Sequence, residues 1–147
     1  MGPGPTTRNV LIVEDDDDIR RIIQSWLADD PRSGMIWEAC DPLTASALAQ
    51  ILPVDIVILD YLLAAGTAAD CLPELRHHRP ESRIIVYTAS MAVADDAHVL
   101  ELGADHVVPM ITVVVEDVVS IVFGGRPQPK TPVASYAEFE PLERQHG

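Results

Sequence analysis

The chain is almost without lysine. Among its 147 residues Lys130 is the only one, so every other cationic side chain is an arginine and no ammonium group exists before residue 130. Lys plus Arg number 10 against 23 Asp plus Glu, a net charge of −13. So acidic a chain repels phosphate backbones, which excludes direct nucleic-acid binding and argues against docking on an anionic membrane. Cysteine is scarce as well. Cys40 and Cys71 form no C-x-x-C and no zinc spacing, so two reduced, partly buried thiols in a cytosolic protein are expected. No apolar run approaches the roughly 18 residues of a membrane span. Met1 to Asn9 holds Pro, Gly and Thr but no apolar stretch, which excludes a signal peptide.

What is present is globular: 48% hydrophobic and 22% charged residues. Val10 to Val13 is a short apolar run that ends abruptly in acid, as a strand buried on both faces does. Ile19, Ile22, Ile23, Trp26 and Leu27 form one helical stripe, stopped by Asp29, Asp30 and Pro31. Met35 to Cys40 reads as a second strand. Asp41-Pro42 then opens a helix to about Ile51, Asp capping and Pro at the first helical position. Ile56 to Leu59 is a third strand, again ending in acid at Asp60. Tyr61 to Ala69 reads as a loop, and a helix follows from about Asp70 to His78. Arg83 to Tyr87 is a fourth strand ending at Thr88. A helix from about Ala92 to Leu102 stops at Gly103. His106 to Met110 is a fifth strand, and Pro109 within it cannot donate to a ladder and so favours an edge. Thr112 to Phe123 is the last helix. Strands and helices alternate five times, which implies right-handed crossovers and a parallel sheet between two helical layers.

In an open parallel sheet, ligands bind outside the carboxyl ends of the strands. The first strand ends in Glu14-Asp15 and the third in Asp60, so three carboxylates converge if those strands are neighbours. Like charges held that close raise one another's pKa or recruit a cation. Oxygen-only ligands with room for water suit Mg²⁺, which takes phosphate as a co-ligand and lets a carboxylate attack phosphorus. The Thr88 hydroxyl is placed to hydrogen-bond a phosphoryl oxygen. The acids of the run Glu14 to Asp18 divide, Asp16 to Asp18 capping the helix and Glu14-Asp15 serving the site.

Val-Leu-Ile-Val-Glu14-Asp15, Asp55-Ile-Val-Ile-Leu-Asp60, Ile84-Ile-Val-Tyr-Thr88-Ala89 and Gly103-Ala104-Asp105 together resemble the response-regulator receiver domain of two-component signalling. The resemblance implies a flavodoxin-like α/β fold, doubly wound, with a five-stranded parallel sheet in the order 2-1-3-4-5. It covers a receiver domain over 9–123; composition adds a flexible N-terminus over 1–8 and a Pro-rich, disordered tail over 124–147. Asp60 would accept phosphate from a histidine kinase or phosphotransfer protein. Asp15 would bind Mg²⁺ directly, Glu14 through water, Asp60 as a further ligand and Leu62 through its backbone carbonyl. Thr88 would be the switch hydroxyl. No enzymatic activity beyond self-phosphorylation and autodephosphorylation at Asp60 is implied, and a cytoplasmic location is expected.

The sequence departs from that family's pattern. Counting from Gly103, Met110 stands where receivers carry a lysine, Ile111 where a proline follows, and Val107 where an aromatic rotamer switch is usual. The loop after Asp60 reads Ala64-Ala65-Gly66. A charge-assisted hydrogen bond is worth about 1.5–3 kcal/mol, so phosphate would be held less productively without the ammonium. The last helix carries Val113, Val114, Val115, Val118, Val119, Ile121, Val122 and Phe123 around more than half its circumference, which suggests a homodimer or partner face through the last strand and helices. His77-His78 close a helix and complement its dipole, while His98 and His106 read as surface residues. The residues after Phe123 are too few and too polar for a helix-turn-helix, so a stand-alone phosphorylation-dependent signalling module is expected. Two rival readings are a pseudo-receiver that binds partners without phosphate and a Mg²⁺-dependent hydrolase on the same fold.

Overall fold

The computed structural model describes residues 6–88, 96–109 and 115–124. Five parallel strands form the central sheet: β1 (Arg8–Val13), β2 (Ser33–Ala39), β3 (Ile56–Asp60), β6 (Arg83–Thr88) and β7 (His106–Pro109), in the order β2-β1-β3-β6-β7. This is the expected 2-1-3-4-5 arrangement, because a short hairpin, β4 (Leu62–Leu63) and β5 (Gly66–Thr67), intervenes in the numbering. The helices are α1 (Asp17–Ala28), α2 (Pro42–Ile51), α3 (Leu72–His78), α4 (Asp96–Leu102) and α5 (Val115–Val122). Pro109 does lie on β7, which among the described residues pairs only with β6 and so is an edge of the sheet.

The continuous apolar runs are explained by burial on both faces. Leu11, Val13, Val57, Leu59, Ile84 and Val86 enter one core beneath α2, α3 and α4. Their strand neighbours Val10, Ile12, Ile56, Ile58, Ile85 and Tyr87 enter the other, with Ile23 and Leu27 of α1 and Ile121 and Val122 of α5. Successive strand side chains alternate between faces, so a strand covered twice has no polar position.

Helix α1 begins where it does because the Asp16 carboxylate accepts from the backbone N–H groups of Asp18 and Ile19, at 2.9 and 3.0 Å. Asp17 and Asp18 follow in the first turn and pair with Arg20 and Arg21. Asp16→Ala removes the cap and is expected to lower stability by about 1 kcal/mol. A urea midpoint unchanged by the substitution would show that the cap contributes nothing.

Two local readings change, and a third, His77-His78 at a helix end, gains a contact. The segment Tyr61 to Ala69 is ordered as the β4–β5 hairpin plus a 3₁₀ turn over Ala68–Asp70, capped reciprocally by Thr67 and Asp70. Its strands are two residues each, too short for a period-2 pattern to show. The thiols are not alike: Cys40 is exposed, whereas Cys71 is buried and its pKa is pushed up to about 12, chiefly by that burial. The His77 and His78 rings meet edge to face at 5.3 Å between centroids, at the very end of α3.

Strand β1 starts at Arg8, whose N–H donates to the Arg32 carbonyl, one residue inside the stretch expected to be flexible. Ala92 to Asp95, Met110 to Val114 and the tail from Gly125 lie outside the described residues, and with them Val113 and Val114 of the apolar stripe expected to form a dimer face; Ile121 and Val122 of that stripe are buried in the core and Phe123 packs against it. No helix among the described residues is long and apolar enough to cross a membrane.

Candidate functional site

The sheet order puts the ends of β1, β3 and β6 side by side. In the parallel register Val13 pairs with Leu59, and Asp60 with Tyr87. One step past Val13, Glu14 therefore falls in the row of Asp60 and Tyr87. Carboxylate oxygens of Glu14, Asp15 and Asp60 lie within 4.8 Å of one another. Glu14 is 1% exposed, while Asp15 and Asp60 keep access to solvent.

Each of the three carboxylates is held by the backbone or by a neighbour. One Glu14 oxygen accepts from the Asp16 N–H at 3.0 Å, and the other from the Tyr87 hydroxyl. The Glu14 carbonyl is fixed by the Arg20 guanidinium at 2.8 Å, and Arg20 itself pairs with Asp17 and Glu38. Asp15 Oδ2 accepts from Ala64 N–H at 3.1 Å, which ties the end of β1 to the turn of the small hairpin. Asp60 Oδ1 accepts from Leu62 N–H at 3.3 Å.

The electrostatics follow from that crowding. Burial, then the charge of Glu14, push the Asp60 carboxyl up to about 7 from 3.8. Burial, then Glu14, likewise raise the Tyr87 phenol above its ordinary range, so it remains a hydrogen-bond donor. Three carboxylates so placed form a concentration of negative charge with oxygen ligands only, the donor set of a hard divalent cation.

Of the residues singled out in the sequence, Glu14, Asp15 and Asp60 are brought together. Leu62 lies beside them with its N–H on Asp60. Thr88 is the last residue of β6, one position beyond the strand partner of Asp60, and is 1% exposed. Met110 lies outside the described residues. Val107 is half-buried on β7, paired with Val86. Tyr87 was not singled out by sequence. A tyrosine within an apolar strand reads as core, and its one signal is positional: it is the register partner of Asp60.

The profile of the response regulator receiver domain family matches residues 10–109. The chain belongs to this family. The nitrate/nitrite response regulator protein NarP of Escherichia coli K12 is 34% identical over 103 residues, covering 70% of this chain and 48% of that protein. A crystal structure of a Burkholderia pseudomallei response regulator with a phosphorylated aspartic acid, calcium ion and citrate superposes with a TM-score of 0.71. Its identity is 21%, covering 94% of this chain and 75% of that one. The receiver domain of Ssk1 from Saccharomyces cerevisiae, crystallised with the histidine phosphotransfer protein Ypd1, gives 0.69 at 17% identity, covering 82% of this chain and 89% of that one. The chain spans about half the length of the curated relatives it matches.

Receiver domains are generally non-enzymatic signalling modules that bind Mg²⁺ at an acidic pocket and interact with histidine kinases or phosphotransfer proteins. This receiver carries its acidic cluster at the carboxyl ends of β1 and β3.

Proposed function

We propose that this receiver accepts a phosphoryl group on Asp60 in a Mg²⁺-dependent reaction and signals through protein contacts. The observation that carries the reading is the convergence of the Glu14, Asp15 and Asp60 carboxylates within 4.8 Å. Together with the raised pKa of Asp60, it describes a site with surplus negative charge and oxygen donors only. Those residues fit Mg²⁺: Asp15 and Asp60 as direct ligands, Glu14 through water, and the Leu62 carbonyl as a neutral ligand. Ala68 N–H donates to the Tyr61 carbonyl at 2.8 Å, while Leu62 turns its N–H to Asp60. The chemistry that such an ion would supply here is neutralisation of the charge on an incoming phosphoryl group.

Asp60 supplies the nucleophile. One of its carboxylate oxygens forms a bond to phosphorus as the N–P bond of a phosphohistidine donor breaks, the electron pair stays on the leaving imidazole nitrogen, and that nitrogen takes up a proton from solvent. Thr88 is assigned the hydrogen bond to a phosphoryl oxygen. Met110, where the family usually has lysine, leaves that role without an ammonium, so phosphorylation is coupled weakly to the rest of the domain.

Mg²⁺ titration by calorimetry tests the site. One ion is expected to bind per chain, at least tenfold more weakly in Asp15→Asn, because removing a carboxylate lowers the ligand charge that sets affinity. A wild type indifferent to Mg²⁺ would favour the phosphate-independent partner-binding reading. Turnover of a phosphoester would favour hydrolysis.

A further inference from the structure

Glu14 is the most buried of the three acids and the most tightly held. Its oxygens have different partners: the Asp16 N–H on one and the Tyr87 hydroxyl on the other. The first comes with the start of α1 and is independent of side-chain identity. The second depends on one residue type, since phenylalanine would fill the same space without a donor. Tyr87 is 5% exposed, and its ring packs in the core shared by α1 and α5, among residues that include Ile12, Ile58, Ile85 and Ile121. The ring is thus anchored, and its hydroxyl reaches across the row of Asp60 to Glu14.

We propose that Tyr87 is a positioning residue of the cation site: its hydroxyl fixes the Glu14 carboxylate in the orientation that serves Mg²⁺. With one hydrogen bond on each oxygen, the carboxylate plane cannot turn, and each oxygen keeps a lone pair for a metal-bound water. Outer partners that orient ligands in this way alter metal affinity by about 10- to 100-fold when removed. The inference rests on the Mg²⁺ site proposed above.

Tyr87→Phe is expected to bind Mg²⁺ roughly tenfold more weakly in calorimetry while melting cooperatively. In a Glu14→Gln background the same substitution is expected to change affinity little, because the partner it positions is already altered. A role in packing alone would lower the melting temperature and leave Mg²⁺ affinity unmoved. Wild-type protein carrying ¹³C-labelled tyrosine gives a check that needs no change at Tyr87. Its Cζ resonance, assigned with Tyr61→Phe and Tyr136→Phe, is expected to shift along the Mg²⁺ binding isotherm. A wild type that takes no Mg²⁺ defeats the functional reading and this inference together. Wild-type affinity in folded Tyr87→Phe, or a Tyr87 resonance that ignores bound Mg²⁺, defeats this inference alone.

Discussion

Incubated with a small acyl phosphate and Mg²⁺, the wild-type chain is expected to take up one phosphoryl group, and Asp60→Asn none. The label is expected to be removed by hydroxylamine, which attacks an acyl phosphate and spares phosphate esters of Ser, Thr or Tyr. The expectation follows from geometry. Among the three carboxylates, Glu14 is buried and has both oxygens engaged, and Asp15 is tied to Ala64 N–H. Asp60 stands at the end of a central strand with solvent access, and its backbone-donated bond, from Leu62 N–H, is long at 3.3 Å. It is the carboxylate free to present an oxygen to phosphorus. Without Mg²⁺, the charge of Glu14 and Asp15 beside Asp60 is left to repel an incoming phosphoryl group. Omitting the metal is therefore expected to abolish labelling in wild type as well. Mg²⁺ binding without any label on wild type would leave the site as a structural ion site and sink the phospho-acceptor reading.

Much of this was legible in the sequence because the physics is local to the strands. Val10 to Val13 and Ile56 to Leu59 have no polar position, which only a doubly covered strand tolerates, and each is followed at once by acid. That pattern yields the sheet, its parallel sense and the three carboxylates at one rim. The use of acids after Asp15 to start a helix was equally local, with Asp16 as the residue that caps it. Features needing register or short-range backbone geometry were not legible. The hairpin at Leu62 to Thr67 is too short to leave a periodic trace. The part of Tyr87 depends on pairing Asp60 with residue 87, which no pattern within β6 discloses. Cys40 and Cys71 differ in exposure because one follows the edge strand β2 while the other sits beneath the start of α3.

Replacing Asp60 by Asn is expected to stabilise the metal-free domain, and the gain should depend on pH. The folded-state pKa of Asp60 is about 7, against 3.8 when unfolded. Between those values the native state binds more protons than the unfolded one, so stability falls as pH rises from about 4 to 7 and levels off above. The cost lies in charging a partly buried carboxylate beside Glu14 and Asp15, and solvent access at Asp60 screens it to on the order of 1–2 kcal/mol. Asparagine keeps the shape and drops the charge. In metal-free buffer at pH 8, Asp60→Asn is expected to melt about 4–8 °C above wild type. Near pH 4 the two are expected to coincide. His106 titrates in part of the same window with the opposite slope, because burial, then Arg83, lower its pKa and disfavour its charged form in the folded state. It is present in both proteins and cancels in their difference, which is why the comparison and not the wild-type curve carries the test. Mg²⁺ is expected to close the gap at pH 8 by stabilising wild type in proportion to its binding, and to move Asp60→Asn far less. A gap that is absent at pH 8, or that persists unchanged to pH 4, would show that the three carboxylates do not repel one another as their spacing requires.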